Sequence, residues 1–168
     1  MRAFAIGCFV LCWGVPAAAG PCSGTAFEQF SFWAGQWQVS TADGTVVGHN
    51  TISRVADGCA LIERWESVRG STGTSLNYYD VAQAQWVQVW SGAGGTQIDI
   101  RGGIADGSMV LVGTLTTIAN NTTVPFRGTW TLLDDGRVRQ FFEQSVDAGE
   151  TWQPWFEGFY KRQSAPSD

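Results

Sequence analysis

The stretch from residue 86 to residue 90 reads Trp-Val-Gln-Val-Trp, and its alternation indicates the fold class. Successive side chains of a β-strand point to opposite faces, so Trp86, Gln88 and Trp90 share one face while Val87 and Val89 share the other. A simple sandwich would bury a purely apolar face. A face that joins two indoles to an amide instead predicts the wall of a cavity inside a barrel.

The same mixture of aromatic and polar side chains recurs on other predicted strands. Glu63 shares a face with Trp65, and Asn77 shares a face with Tyr79. In the ninth predicted strand one face carries Val138, Gln140, Phe142 and Gln144, and the other carries Arg139, Phe141, Glu143 and Ser145. Barrels of eight to ten strands are about wide enough to hold one small ligand. The alternative is that these are outer faces with scattered surface aromatics.

Turn dipeptides divide the chain into about ten short strands with no helical segment between them. Asp-Gly occurs at 43–44, 57–58, 106–107 and 135–136, and it suits hairpin turns because both central residues of a type I′ turn need positive φ. The predicted strands span residues 32–40, 45–56, 59–68, 74–80, 85–92, 96–104, 108–117, 124–133, 137–145 and 154–162. Residues 26–33 suit a short helix or 3-10 turn. This spacing predicts an all-β chain in a single antiparallel barrel of eight to ten strands.

Length and composition exclude several classes of protein. A chain of 168 residues is about one domain long. With 13% aromatic and 15% charged residues it does not resemble a disordered chain, and it lacks the heptads of a coiled coil. The formal charge of −5 argues against a nucleic-acid partner, which requires a basic patch.

The first nineteen residues have the layout of a secretory signal peptide. Arg2 precedes an apolar run over residues 3–15, and residues 17–19 read Ala-Ala-Ala, which is a small-residue cleavage site. The run is shorter than the roughly 20 residues of a membrane-spanning helix, although an uncleaved anchor is the alternative. We therefore expect a signal peptide over 1–19, a barrel domain over 20–162 and a polar tail over 163–168. The mature protein would be secreted or periplasmic, with no membrane partner.

Cleavage would leave two of the four cysteines, Cys22 and Cys59. In an oxidising compartment an even pair most simply forms one disulfide, which should stabilise the fold by a few kcal/mol. The mature chain has one histidine and no Cys-x-x-Cys. We therefore expect no metal site and no cofactor.

The segment over residues 32–39, Phe-Trp-Ala-Gly-Gln-Trp-Gln-Val, places a Gly-x-Trp at the start of the first strand. It resembles the signature of the lipocalin and calycin barrels. In those families the tryptophan closes the barrel floor and a basic residue near the last strand stacks over it. The resemblance implies structural roles for Gly35 and Trp37, with Arg162 over the indole and Lys161 as the second candidate.

A longer resemblance, over residues 30–162, links the chain to secreted bacterial calycin-like proteins to which no activity is assigned. The matching runs are residues 57–59, 63–65, 75–80, 86–90 and 138–160, beside the Gly-x-Trp start. The haem-binding relatives, the nitrobindins, hold iron through a histidine near the C-terminal end of the barrel. The one histidine here, His49, lies in the second predicted strand, so the resemblance implies the fold without haem.

Residues 145–152 read Ser-Val-Asp-Ala-Gly-Glu-Thr-Trp. This segment resembles the Asp-box of sialidase propellers, in which the aspartate bonds turn amides. A propeller would repeat the motif over several blades and many more residues. A single copy predicts a turn in which Asp147 has a structural role.

The function predicted from these features is non-covalent, metal-free binding of a small amphipathic or aromatic molecule in the lumen. The predicted wall residues are Trp65, Tyr79, Trp86, Trp90 and Phe142. The predicted orienting groups are Glu63, Asn77, Gln88, Gln140 and Glu143. Burial against aromatic rings would raise the pKa values of the two glutamates.

Two other functions stay open. The first is an enzyme that uses Glu63 or Glu143 as general acid or base, although the chain has no Gly-x-Ser-x-Gly, His-Glu-x-x-His or phosphate-binding loop. The second is a structural or protein-interaction domain with a filled core. Each glutamate could instead pair with an arginine such as Arg64, Arg127 or Arg139. The residues indicate neither the ligand nor the oligomeric state.

Overall fold

The computed structural model of the chain describes residues 20–163. The signal peptide predicted over 1–19 and nearly all of the predicted tail lie outside these residues. Within the described range, no helix is both long enough and apolar enough to cross a membrane.

Ten antiparallel strands close into one barrel, in which each strand pairs with its sequence neighbours and β1 pairs with β10. The strands are β1 (Gly35–Ser40), β2 (Val46–Val55), β3 (Ala60–Ser67), β4 (Thr72–Asp80), β5 (Gln85–Gly92), β6 (Thr96–Ala105), β7 (Ser108–Thr117), β8 (Thr122–Leu132), β9 (Val138–Gln144) and β10 (Gln153–Arg162). The predicted all-β, ten-stranded antiparallel barrel is therefore confirmed.

Between residues 20 and 163, helical structure is confined to short segments, namely helix α1 (Thr25–Glu28) and 3-10 turns at Ser31–Trp33, Ala56–Gly58 and Ile118–Asn120. The first strand was predicted to begin at residue 32 but begins at Gly35. The chain first makes a 3-10 turn that buries Trp33 completely. Gly35 then adopts a φ of +146°, a backbone conformation that favours glycine.

Aromatic side chains plug one end of the barrel, which we call the closed end; it carries α1 and the turns at 56–59, 81–84, 106–107 and 133–137. Phe30 and Trp33 stack with their ring centroids 5.0 Å apart. Phe30 also meets Trp86 and Trp130 edge-on, at 5.6 and 5.2 Å. The Nε1 of Trp86 donates to the backbone oxygen of Ala26 at 3.1 Å, so the plug is tied to α1.

The Cys22–Cys59 disulfide joins the segment before α1 to the turn at 56–59, with Cα atoms 5.0 Å apart. This bond confirms the pairing predicted from the sequence. It spans 37 positions of the chain, and closing a loop of this length stabilises a fold by about 3–4 kcal/mol in the chain-entropy model. The bond therefore holds the N-terminal plug against the barrel.

Arg162 lies over Trp37, with its Cζ 4.4 Å from the centroid of the indole. Its Nη1 also donates to the backbone oxygen of Ala34 at 3.0 Å. The guanidinium occupies the space that a side chain at Gly35 would need. Glycine at position 35 thus allows the arginine to reach the indole, while Lys161 points to the other face of the strand.

Candidate functional site

The barrel lumen contains a cavity of about 280 Å³ on the side opposite the plug. It reaches the other barrel end, which we call the open end and which carries the turns at 41–45, 68–71, 93–95, 118–121 and 145–152. Ser71 and Trp155 line the cavity and are exposed there. The lumen therefore holds accessible space that the side chains leave unfilled, which is not what a filled core predicts.

Half of the residues that line the cavity are aromatic. Trp65, Trp90 and Phe142, which were predicted as wall residues, all line it. Trp155 and Phe156 line it as well, and neither was predicted. The ring of Phe142 lies 6.2 Å from that of Trp155 and 6.3 Å from that of Phe156, so the three rings form one continuous apolar surface.

Two glycines make room for the indoles of this wall, and each lies on the strand next to that of its indole. A Cβ atom at Gly48 would lie 2.5 Å from Cη2 of Trp65. A Cβ atom at Gly73 would overlap the six-membered ring of Trp90. Each indole therefore uses the space of a missing side chain, and the lumen stays open as a result.

Glu63 forms the polar base of the cavity and is only 4% exposed. Its Oε1 accepts a hydrogen bond from Nδ2 of Asn50 at 2.7 Å. Its Oε2 accepts one from the hydroxyl of Ser75, also at 2.7 Å. Both neighbours act as donors, so they stabilise the ionised form of the carboxyl group.

A chain of amide donors extends from Ser75 to the next strand. The Nδ2 of Asn77 donates to Oγ of Ser75 at 2.8 Å. The Nε2 of Gln88 in turn donates to Oδ1 of Asn77 at 2.9 Å. In each of these bonds the donor points toward Glu63. Each bond polarises the next, and together they favour a negative charge on the Glu63 carboxylate.

A second branch of the network crosses the lumen from Asn50. Its Nδ2 lies 3.3 Å from the hydroxyl of Tyr160, which donates to Oε1 of Gln140. Within the described part of the chain, Oδ1 of Asn50 is buried and has no donor. An unpaired buried acceptor costs free energy, and Asn50 is not among the residues that line the cavity.

Burial changes the pKa of both acidic groups in the network. It raises the pKa of Glu63 to about 7, although the hydrogen bonds from Asn50 and Ser75 act in the opposite direction. Burial also raises the pKa of Tyr160 well above its ordinary value, and the nearby Glu63 carboxylate adds to this shift. At neutral pH the tyrosine keeps its proton while the glutamate is poised between its two forms.

Three predicted ligand contacts lie below the cavity. Tyr79 and Trp86 pack at the closed end, with ring centroids 6.2 Å apart, and Tyr79 also meets Phe27. Asn77 acts on the cavity only through Ser75 and Gln88. Alternation assigned these side chains to the inner face but could not give their height along the barrel axis.

Glu143 does not line the cavity, contrary to the expectation that it orients a ligand. Its carboxylate accepts two hydrogen bonds from Arg127, at 2.6 and 3.0 Å. The reason is strand alternation, because Gln140 and Phe142 point inward and their neighbour Glu143 therefore points outward. Glu63 is thus the only glutamate that lines the cavity within residues 20–163.

Several site residues escaped the sequence analysis for different reasons. Asn50, Ser75 and Tyr160 follow the inward alternation of their strands, and this signal could have identified them. Trp155 and Phe156 could not be found in this way. A register shift between Pro154 and Phe156 brings two consecutive side chains to one cavity.

The turn at 145–152 borders the open end, and Asp147 organises it. Oδ1 of Asp147 accepts hydrogen bonds from the hydroxyl of Ser145 at 2.6 Å and from the backbone N–H of Thr151 at 2.8 Å. Oδ2 accepts from the hydroxyl of Thr151 at 2.6 Å. These donors lower the pKa of Asp147 to about 2.

Outside the lumen, His49 is exposed and its Nδ1 lies 2.7 Å from Nε2 of Gln163. No group of three His, Cys, Asp or Glu residues between positions 20 and 163 is arranged to hold a metal ion. Comparison with protein-family models and with curated proteins found no match for this chain.

Proposed function

We propose that this protein is a secreted, lipocalin-like barrel that binds a small amphipathic or aromatic molecule in its lumen, without a covalent bond and without a metal. The observation that carries the proposal is the cavity of about 280 Å³, which combines aromatic walls with a polar base. Small-molecule sites in proteins have this composition: mostly apolar surface and a few placed polar groups that orient the ligand.

The size of the cavity limits the ligand. An apolar cavity of about 150 Å³ holds benzene, and sites for drug-sized molecules begin near 300 Å³. The lumen therefore suits a compact molecule with one or two rings and one polar group. That polar group would meet Glu63, Gln140 or Tyr160, and the rings would pack on Trp65 and Trp90.

Two further features support the secreted, lipocalin-like part of the proposal. The Cys22–Cys59 disulfide fits an oxidising compartment, in agreement with a signal peptide over residues 1–19. The contact of Arg162 with Trp37 matches what the resemblance to lipocalins implies for the Gly-x-Trp start.

Native mass spectrometry of the protein purified from its own host tests the proposal directly. We expect a bound molecule of low mass that leaves on denaturation without a covalent adduct. A metal-dependent or covalent adduct would contradict the proposal. So would conversion of the released molecule by the protein, with a bell-shaped pH–rate profile lost in Glu63→Gln, because that result identifies an enzyme.

A pair of tryptophan variants tests the site itself, with indole and 2-phenylethanol as probes in isothermal titration calorimetry. Trp90→Ala removes a wall residue and should weaken binding by about tenfold. Trp152→Ala is the control, because Trp152 packs over Arg127 on the outer surface. Equal losses of affinity in both variants would mean that the probes do not bind in the lumen.

A further inference from the structure

The lumen contains a carboxyl group that no cation among residues 20–163 pairs with. No lysine, arginine or histidine of these residues lines the cavity. The ion pairs of the described residues all lie outside it, as for Arg127 with Glu143 and Arg139 with Glu157. Burial of an unpaired carboxylate is costly, and proteins normally avoid it by pairing the charge.

The hydrogen bonds to Glu63 nevertheless favour its ionised form, against the larger effect of burial. Asn50 and Ser75 both donate to the carboxylate, and the amide chain behind Ser75 points its donors the same way. These two bonds use about half of the acceptor capacity of a carboxylate, which has roughly four lone-pair sites. The remaining lone pairs of Glu63, which lines the cavity, thus offer acceptors to a group with several N–H bonds.

The walls above Glu63 are suited to the same kind of group. The faces of tryptophan and phenylalanine rings carry partial negative charge and attract cations, and indole does so most strongly. Trp65, Trp90 and Phe142 line the cavity together with Glu63. An ammonium group in this lumen would meet a carboxylate at the base and aromatic faces at the sides.

We propose that the lumen is a site for a monovalent organic amine, whose ammonium group donates to Glu63 and whose aromatic or alkyl body packs against Trp65, Trp90 and Phe142. This inference rests on the proposed function and specifies the class of ligand. The amine supplies the missing positive charge, so binding converts an unpaired buried carboxylate into a buried ion pair.

The pH dependence of binding follows from the groups that face Glu63. These are Asn50 on β2, Ser75 on β4, Gln140 on β9 and Tyr160 on β10, and only Tyr160 titrates, far above neutral pH. Because burial raises the pKa of Glu63 to about 7, the amine must displace a proton when it binds in mildly acidic solution. Amine affinity should rise by about tenfold or more between pH 5.5 and pH 8, and about one proton should be released per amine bound at pH 5.5.

Two matched sets of probes test the inference by calorimetry at pH 7.5. The first set carries an indole ring and consists of a cation, a neutral alcohol and an anion: tryptamine, tryptophol and indole-3-acetate. The second set carries a benzene ring and has the same three charges: phenethylamine, 2-phenylethanol and phenylacetate. We expect each amine to bind about tenfold or more tightly than its neutral counterpart. Glu63→Gln should abolish this preference while the alcohols still bind. Glu66→Gln is the control, because Glu66 is exposed on the same strand.

The outcomes separate the two proposals. If the alcohols or acids bind as tightly as the amines, or if Glu63→Gln keeps the preference, the amine inference is wrong while lumen binding stands. If no probe of either set binds, both proposals fail. Proton release on amine binding, measured in buffers of different ionisation enthalpy, checks the inference in the unaltered protein. Amine binding without proton release at pH 5.5 would contradict it.

Discussion

The indole of Trp90 occupies the space that a side chain at Gly73 would need. Gly73→Ala should therefore push the indole out of its place and into the lumen. We expect a loss of about 1–3 kcal/mol in the free energy of unfolding, because overpacking forces side chains from their preferred rotamers. We also expect weaker binding of indole. Urea denaturation and calorimetry measure the two effects.

Gly103→Ala is the matched control for this prediction. Gly103 also lies in a strand, but a Cβ atom there would meet nothing within 4 Å. The control should change neither stability nor binding appreciably. Similar effects of the two substitutions would show that Gly73 is sensitive for reasons of strand propensity and not because of Trp90.

The raised pKa of Glu63 makes the stability of the ligand-free protein depend on pH. The carboxyl group has a pKa of about 7 in the folded state and about 4.3 in an unfolded chain. Below pH 4 both states hold the proton, so Glu63 has no effect. As the pH rises to about 7, the unfolded state loses its proton first, and the free energy of unfolding falls by about 3 kcal/mol.

Glu63→Gln should remove this fall, since glutamine does not titrate. Urea denaturation between pH 4 and pH 8 measures the difference between the two proteins. The variant should gain stability relative to the wild-type protein as the pH rises, and the difference should level off above pH 7. Parallel stability curves would show that the carboxyl group is not desolvated in the folded protein.

The lowered pKa of Asp147 has the opposite effect. Its hydrogen bonds to Ser145 and Thr151 stabilise the fold when the group is ionised, at pH values above about 4. This stabilisation is lost as the pH falls through about 2. Asp147→Asn should therefore lower the melting temperature at pH 7 and have a diminishing effect toward pH 2. An effect that does not vary with pH would contradict this assignment.

The contact of Arg162 with Trp37 should contribute measurably to stability. A guanidinium over an indole face is worth about 0.5–2 kcal/mol, and Arg162 also bonds the oxygen of Ala34. Arg162→Ala should lower the free energy of unfolding by about this amount, as measured by urea denaturation. Lys161→Ala is the control, because Lys161 carries the same charge and strand alternation turns it away from the indole. Comparable losses in the two variants would mean that net charge, and not the contact, is responsible.

The barrel could be predicted from the sequence because its main signals are local. Alternation placed Glu63, Trp65, Gln88 and Trp90 on the inner face, and all four line the cavity. The same alternation separates Glu143 from Gln140 and Phe142, so its assignment to the site conflicted with the pattern. Asp-Gly pairs marked four of the strand ends, because glycine readily adopts the positive φ that a tight turn needs. The glycine of each of these four pairs has a positive φ.

Other features depend on the height of a residue in the barrel or on its long-range partners. Tyr79 and Trp86 face inward but contact the N-terminal plug. The alternation of side chains along a strand does not reveal that helix α1 covers them. The hydrogen bond between Asn50 and Glu63 joins residues 13 positions apart and depends on strand register. The register shift that brings Trp155 and Phe156 to the cavity is set by the pairing of β9 with β10.

The plug of Phe30 and Trp33 has a kinetic consequence. It closes the lumen at one end, so a ligand must bind and dissociate through the open end, past the turns at 68–71 and 145–152. Substitutions on that rim should change association and dissociation rates together and leave the equilibrium constant nearly unaltered. Substitutions at the base, around Glu63, should act on the residence time alone.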